Sequence, residues 1–166
     1  MSGRSITHLG GAVLTEHETT DNSLELGNQL CFSVYSTAHA FTRLYTSLLK
    51  SLDVTYTQYL VLLVLWEEDG PTVKALGERL SLDSGTLTPL LRRLEEAGYV
   101  HRVRAERDQR CMHVYLTEHG RGVRPDVHDV RRCVFEATGL NFDELKDLQG
   151  RLETLRSALD STAQRG

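Results

Sequence analysis

Cys31 is the residue of this chain best placed to do chemistry: a lone thiol in a helix-patterned segment, Leu24 to Lys50, that also carries Tyr35 and Tyr45. Thiolate is the form of cysteine that attacks peroxides, and a phenol donating a hydrogen bond to sulfur favours thiolate over thiol. At about 100° per residue, Leu24, Cys31, Tyr35, Ala38, Thr42, Tyr45 and Leu49 fall within a stripe roughly 80° wide, which is therefore expected to be buried. Tyr45 follows Cys31 by fourteen positions, or roughly 21 Å along one helix at ~1.5 Å per residue, far beyond the reach of a phenol. A hydrogen bond between the two would have to come from an antiparallel copy of the helix in a second subunit, making the thiol site a property of a dimer. The plain alternative is a small core cysteine among tyrosines that only pack.

Composition narrows the setting. The chain has 166 residues and a formal charge of −4, enough for one domain with a substantial core but not for a generally basic, polyanion-binding coat. Contact with DNA must come from local charge segregation. Cys31, Cys111 and Cys133 lack the CxxC spacing of zinc sites, and an odd count makes a poor disulfide framework, so a reducing cytoplasm is expected, with no metal and no cofactor. The longest apolar run, Tyr59 to Trp66, is too short to span a bilayer, and Glu16, Glu18, Asp21 and Glu25 interrupt any signal-peptide core, so no membrane partner is expected.

Residues Met1 to Ser23 mix Gly, Ser, Thr, His and acids without periodicity and read as a flexible tail. After the first helix, Leu52 to Thr55 makes a break, and Thr57 is taken as the N-cap of an apolar helix reaching Glu67. Asp69-Gly70-Pro71 ends it. Thr72 or Val73 opens a short helix to about Leu80, and Ser81 to Ser84 turns the chain into a further helix ending at Gly98, which is helix-turn-helix spacing. Tyr99 to Arg104 and Cys111 to Leu116 read as two strands joined by a charged tip, a hairpin of the kind called a wing. Thr117 caps a helix expected to continue to about Thr138 despite Gly122 and Pro125, with Gly139 as its stop. A last helix from Asn141 or Phe142 to Ala163 carries Leu145, Leu148, Leu152, Leu155 and Leu159 as a stripe that wants a partner.

Charge distinguishes DNA binding from a merely solvated hairpin. Between Gly98 and Tyr115, four arginines (Arg102, Arg104, Arg107, Arg110) face two acids (Glu106, Asp108), a local excess of two positive charges beside His101 and His113. On the preceding helix Ser84, Thr86 and Thr88 supply hydroxyls at the amino end, where they could reach base edges or phosphates, and Arg92 and Arg93 follow. Pro89 fits if that helix begins near Gly85 or Thr86 and otherwise removes an amide bond.

Taken together, Leu30-Cys31-Phe32 with Tyr35, Tyr45 and Tyr56, then Thr57-Gln58-Tyr59-Leu60, Leu65-Trp66-Glu67, the run Leu82 to Pro89 (LDSGTLTP) and Asp108-Gln109-Arg110, resemble the organic hydroperoxide resistance regulators of the MarR family. The resemblance covers about residues 24 to 160; the LDSGTLTP run and the cysteine-tyrosine register are specific to that group, whereas the D-x-R wing is shared by MarR proteins generally. It implies a mainly α fold (α+β), a winged helix-turn-helix with N- and C-terminal helices forming a dimerisation domain. The expected organisation is a tail at 1–23, a dimerisation helix and connection at 24–55, a DNA-binding domain at 56–116 and dimerisation helices at 117–166.

The same resemblance implies that Cys31 is the peroxidatic cysteine, that Tyr45 and Tyr56 donate to its sulfur from the opposite subunit, and that Tyr35 lines the pocket. It places the helix from Ser84 in the major groove and Arg110, braced by Asp108 and near Arg107, in the minor groove. Some members carry a second cysteine in the helix after the wing, where Cys133 stands; here it either resolves oxidised Cys31 or simply packs. Cys111 departs from the pattern, since many members have serine after the wing arginine. The function implied is a homodimeric repressor, not an enzyme, that holds double-stranded operator DNA while Cys31 is reduced. An organic hydroperoxide releases it by forming a sulfenic acid and then a disulfide with Cys133 of the other subunit. Leu30, Phe32 and Val34 near the thiol suit an organic peroxide. The alternatives are a MarR-type repressor released by reversible binding of a small phenolic ligand and, further off, a thiol peroxidase.

Overall fold

A computed structural model describes residues 24–105 and 111–163. The expected tail at 1–23 and the hairpin tip at 106–110 lie outside the described residues. The chain divides into two compact units, Met1–Arg43 and Leu44–Gly166, the boundary falling inside the first helix.

In the first unit a 3-10 turn at Leu26–Asn28 precedes α1, Leu30–Leu48, so the helix starts later than its apolar pattern implied. Gly27 and Asn28, poor helix formers, occupy that first turn. Within the single chain most of the Cys31 stripe is uncovered. No residue of α1 is buried, Cys31, Ala38 and Thr42 are exposed, Tyr35 is 62% exposed and Leu24 88%. The described part of this unit holds only the turn and the helix, so within it nothing is available to cover the stripe. Leu49, past the end of α1 in the second unit, is buried as expected.

The second unit is built around α2, Tyr56–Glu67, whose Tyr59, Val61, Leu62, Val64 and Leu65 are all buried. A helix apolar on every side belongs at the centre of a core. Its cap is Thr55 rather than the expected Thr57: the Thr55 hydroxyl accepts from the Gln58 amide at 3.3 Å while the Gln58 side chain accepts from the Thr55 amide at 2.7 Å. Residues 55–58 spell the Thr-x-x-Gln capping box, and only a cap at Thr55 uses both halves of it. Around α2 pack α3, Val73–Leu80, through Leu76, and α4, Ser84–Glu96, through Leu87, Leu91 and Leu94. Thr72 caps α3, and Ser81 ends it in the left-handed region at φ 54. Gly77 permits the tight turn that follows, since a Cβ there would lie 2.8 Å from the Leu82 carbonyl oxygen.

β1, Val100–Arg104, and β2, Met112–Leu116, pair antiparallel with Val100 opposite Leu116 and Arg104 opposite Met112. Val100, Val114 and Leu116 turn inward onto the core. The Val114 amide also donates to the Pro71 carbonyl at 3.0 Å, and Thr72 bridges to His113, seating the hairpin against the start of α3. Helix, turn, helix and hairpin thus form a winged helix-turn-helix.

The single helix expected between Thr117 and Thr138 is two, α5 at Glu118–Gly122 and α6 at Val127–Thr138. Gly122 carries no helical preference, and Pro125 both lacks an amide and disfavours helical geometry at Arg124, so together they break the segment. Gly139, at φ 67, stops α6 as expected. α7, Phe142–Ala163, contains no buried residue; Leu148, Leu152 and Leu159 of its stripe are exposed. Among the described residues no helix is long and apolar enough to cross a membrane.

Candidate functional site

Two groups of side chains carry chemistry. The first is a phenol cluster in the second unit. Tyr45, on the last turn of α1, stacks on Tyr56, the first residue of α2, with ring centroids 4.3 Å apart and planes 17° from parallel. Tyr59, one turn along α2, has its centroid 5.4 Å from that of Tyr45. Burial, reinforced by the neighbouring phenols Tyr59 and Tyr56, pushes the Tyr45 hydroxyl up to about 12. Burial also raises Tyr56, and it raises Tyr59 against the opposing pull of the Arg131 guanidinium. These phenols therefore keep their protons at neutral pH and can donate hydrogen bonds. Tyr59 had no assigned role in the sequence; its signal was its place one turn after Tyr56.

Of the sulfur-bearing positions, Cys31 is the second residue of α1 and is exposed. Tyr35, one turn further, is exposed and meets the His39 ring edge-on at 4.3 Å. Cys133 lies half-buried on α6, and Cys111 is half-buried immediately before β2; none of the three is in a disulfide. Tyr45 and Tyr56 are thus brought together, with Cys133 in the same unit, while Cys31 and Tyr35 belong to the other unit. Among the described residues no group of three His, Cys, Asp or Glu side chains could hold a metal ion.

The second group is the outer face of α4. Burial of Leu87, Leu91 and Leu94 on one side leaves Ser84, Thr86, Thr88, Arg92 and Arg93 exposed on the others. The helix begins at Ser84, earlier than the start at Gly85 or Thr86 that would have eased Pro89, so the proline falls inside it. Pro89 is exposed, and the helical acceptor it forgoes, the Gly85 carbonyl, belongs to another exposed residue. Asp83 caps the helix, one carboxylate oxygen accepting from the Thr86 amide at 3.0 Å and the other from the Thr86 hydroxyl at 2.8 Å. The Thr88 hydroxyl donates to the Ser84 carbonyl at 2.7 Å. Arg92 forms an exposed ion pair with Glu96 at 3.1 Å.

The wing is braced against α4 from one side and the loop after α2 from the other. Glu95 accepts from the Arg102 guanidinium at 2.7 and 3.1 Å and from the Arg102 amide at 3.1 Å. These bonds hold the Glu95 carboxyl below its ordinary range. Asp69 accepts from the Leu116 amide at 2.8 Å and from Arg121 at 2.6 Å. His113 Nδ1 sits 2.8 Å from the Gly70 carbonyl and must carry the proton there. Arg102, counted with the free positive charge of the hairpin in the sequence, is therefore neutralised by Glu95, whereas Arg104 stands exposed. Arg107, Asp108 and Arg110 lie outside the described residues.

Comparison with known proteins gives consistent matches. The family of transcriptional regulators SarA/Rot matches residues 43–126. The HTH-type transcriptional regulator TtmR of Methylorubrum extorquens is 49% identical over 143 residues, covering 86% of this chain and 73% of that protein. The organic hydroperoxide resistance transcriptional regulator of Bacillus subtilis is 41% identical over 142 residues, covering 86% and 97%. Among solved structures, reduced AbfR bound to DNA superposes with a TM-score of 0.74 at 36% identity, covering 87% of this chain and 99% of that one. The disulfide form of AbfR, a protein of Staphylococcus epidermidis, gives 0.56 at 38% identity, covering 84% and 98%.

Proposed function

The chain belongs to the SarA/Rot family of MarR-like winged-helix transcriptional regulators, and from that premise we propose that it is a homodimeric, DNA-binding repressor switched off by organic hydroperoxides through Cys31. The observation that carries the reading is the exposed Cys31 in the first turn of α1 together with a stacked pair of protonated phenols in the other unit. A second copy of α1 running antiparallel would cover that helix and bring Tyr45 and Tyr56 to the partner's sulfur. The exposed stripe of α7 is a second apolar face that a partner subunit would cover. In this reading residues 24–55 and 117–166 form the dimerisation domain, and residues 56–116 bind DNA.

The chemistry balances without a cofactor. The Cys31 thiolate attacks the distal oxygen of the hydroperoxide, the O–O bond breaks, and the departing alkoxide takes up a proton to leave as an alcohol. The resulting sulfenic acid condenses with the Cys133 thiol of the other subunit, releasing water and forming a disulfide. A disulfide holds two Cα atoms within about 7 Å, so sulfurs lying farther apart require the helices to move. Two α4 helices must sit about 34 Å apart to enter successive major grooves, and such a movement would misalign them. Support comes from the similarity to the Bacillus subtilis regulator and to AbfR, which has been solved both reduced on DNA and in a disulfide form. Ser84, Thr86, Thr88, Arg92 and Arg93 contact the major groove in this reading, and Arg107, Asp108 and Arg110 the minor groove.

The test is Cys31→Ser. DNA binding by the reduced variant should equal that of the parent chain in a gel shift, and release by cumene hydroperoxide should vanish. Release that persists would return the choice to a reversible ligand. Sustained peroxide turnover with a dithiol, rather than one equivalent per site, would favour a peroxidase.

A further inference from the structure

Thr86 projects from the amino end of α4 on the face it shares with Arg93, two turns later, and its hydroxyl proton is already committed. The Asp83 carboxylate accepts it at 2.8 Å while its other oxygen takes the Thr86 amide. A carboxylate has no proton to give, so the hydroxyl is the donor and presents only lone pairs outward. Room for this arrangement comes from Gly85, where a Cβ would lie 2.9 Å from the Asp83 oxygen. The hydrogen bonds from Thr86 hold the Asp83 carboxyl below the ordinary carboxylate range, so it stays ionised at neutral pH.

We propose that Asp83 is a specificity-determining positioning residue: by fixing Thr86 as a hydrogen-bond acceptor, it makes α4 select a base that offers an exocyclic amino group, adenine or cytosine, at one position of each half-site. In the major groove adenine N6 and cytosine N4 donate, whereas thymine O4 and guanine O6 and N7 accept and would meet the Thr86 lone pairs with no proton between them. Thr88 is likewise an acceptor, but its proton goes to the Ser84 backbone carbonyl, which no side-chain change removes. Thr86 is the position where polarity can be reversed. Asp83→Asn keeps an N-cap of equal quality, its carbonyl oxygen accepting from the Thr86 amide. Its NH2 would donate to the Thr86 oxygen and free the hydroxyl to point at the groove.

This inference rests on α4 being the major-groove element, and the experiment separates the two. Reduced full-length protein selects sites from a randomised duplex library, alongside the variants Asp83→Asn, Thr86→Val, Thr86→Ser, Ser84→Ala and Arg93→Ala. The parent chain and Thr86→Ser should share an adenine or cytosine preference at one half-site position, Thr86→Val should lose it there alone, and Asp83→Asn should shift it to guanine or thymine. In the selected duplex, replacing an adenine at that position by purine, which lacks the amino group, should weaken parent binding by about tenfold. An Asp83→Asn variant that folds and still selects adenine or cytosine overturns the proposal while Ser84→Ala and Arg93→Ala go on altering other positions. If none of the α4 variants alters any position, the major-groove reading falls and this inference with it.

Discussion

The Tyr45 ring lies flat on that of Tyr56, 4.3 Å between centroids, although the two residues sit on different helices. The stacking fixes both phenols, and half-burial keeps them protonated. A donor held in place favours the Cys31 thiolate over the thiol more than a mobile one does, because no ordering cost is met when the anion forms before it attacks the peroxide. Tyr45→Phe should therefore slow Cys31 oxidation by cumene hydroperoxide by about tenfold, the loss of one hydrogen bond to a charged group. DNA binding by the reduced variant should not change. Dimedone trapping of the sulfenic acid against time gives the rate, and a rate equal to the parent's would remove Tyr45 from the thiol site.

The same phenol makes stability depend on alkaline pH. Tyr45 ionises near its ordinary 10.0 in the unfolded chain and at about 12 in the folded one. Between those values the folded chain binds more protons than the unfolded chain, so stability falls as pH rises. The contribution is complete below pH 10 and is lost as pH passes through about 12. Absorbance at 295 nm, taken as the difference between parent and Tyr45→Phe, should show a phenol titrating near 12 rather than 10. A difference curve centred at 10 would mean that the hydroxyl is solvated.

What was legible in the sequence, and what was not, follows the range of the forces involved. Thr72, Gly139 and the paired strands announced themselves because caps, stops and β-branched alternation act within a few residues. The break between α5 and α6 is carried by Gly122 and Pro125, two helix-disfavouring residues three positions apart that the expectation of one continuous helix underweighted. The cap at Thr55 was hidden by a second threonine two positions on. The Tyr45–Tyr56 stack and the Arg102–Glu95 brace join residues on separate elements, which periodicity cannot register. Burial of the Cys31 stripe failed as an expectation for one chain because spacing shows that a face is apolar, not which molecule covers it.

Gly120 is a further position where a small change should be costly. A Cβ there would lie 2.1 Å from the Tyr99 carbonyl oxygen, a backbone atom that cannot swing aside. The Gly120 carbonyl in turn accepts the Trp66 indole N–H at 2.8 Å, so displacing α5 also disturbs α2. Gly120→Ala should destabilise the chain by about 2 kcal/mol, as overpacking does. The midpoint of urea unfolding measures it, and Trp66 fluorescence should shift in the folded variant. Stability equal to the parent's would show that α5 can move away without loss.

The C-terminal stripe bears on whether the switch is a dimer at all. Leu148 is 43% exposed and Leu152 47%, one turn apart on α7, a helix with no buried residue. Covering such leucines contributes about 1.5 kcal/mol or more each, and two-fold symmetry counts every one twice. Leu152→Glu places a charge in the stripe, which desolvation makes worse than the loss of the apolar group alone. Sedimentation should show the variant as a monomer with parental helix content, and its affinity for a two-half-site duplex should fall at least tenfold as one recognition helix is lost. Ser157→Glu, on the opposite side of α7, should leave both properties as they were. A Leu152→Glu protein that stays dimeric would exclude this face from the interface, and a parent chain that sediments as a monomer would remove the second subunit on which the thiol chemistry depends.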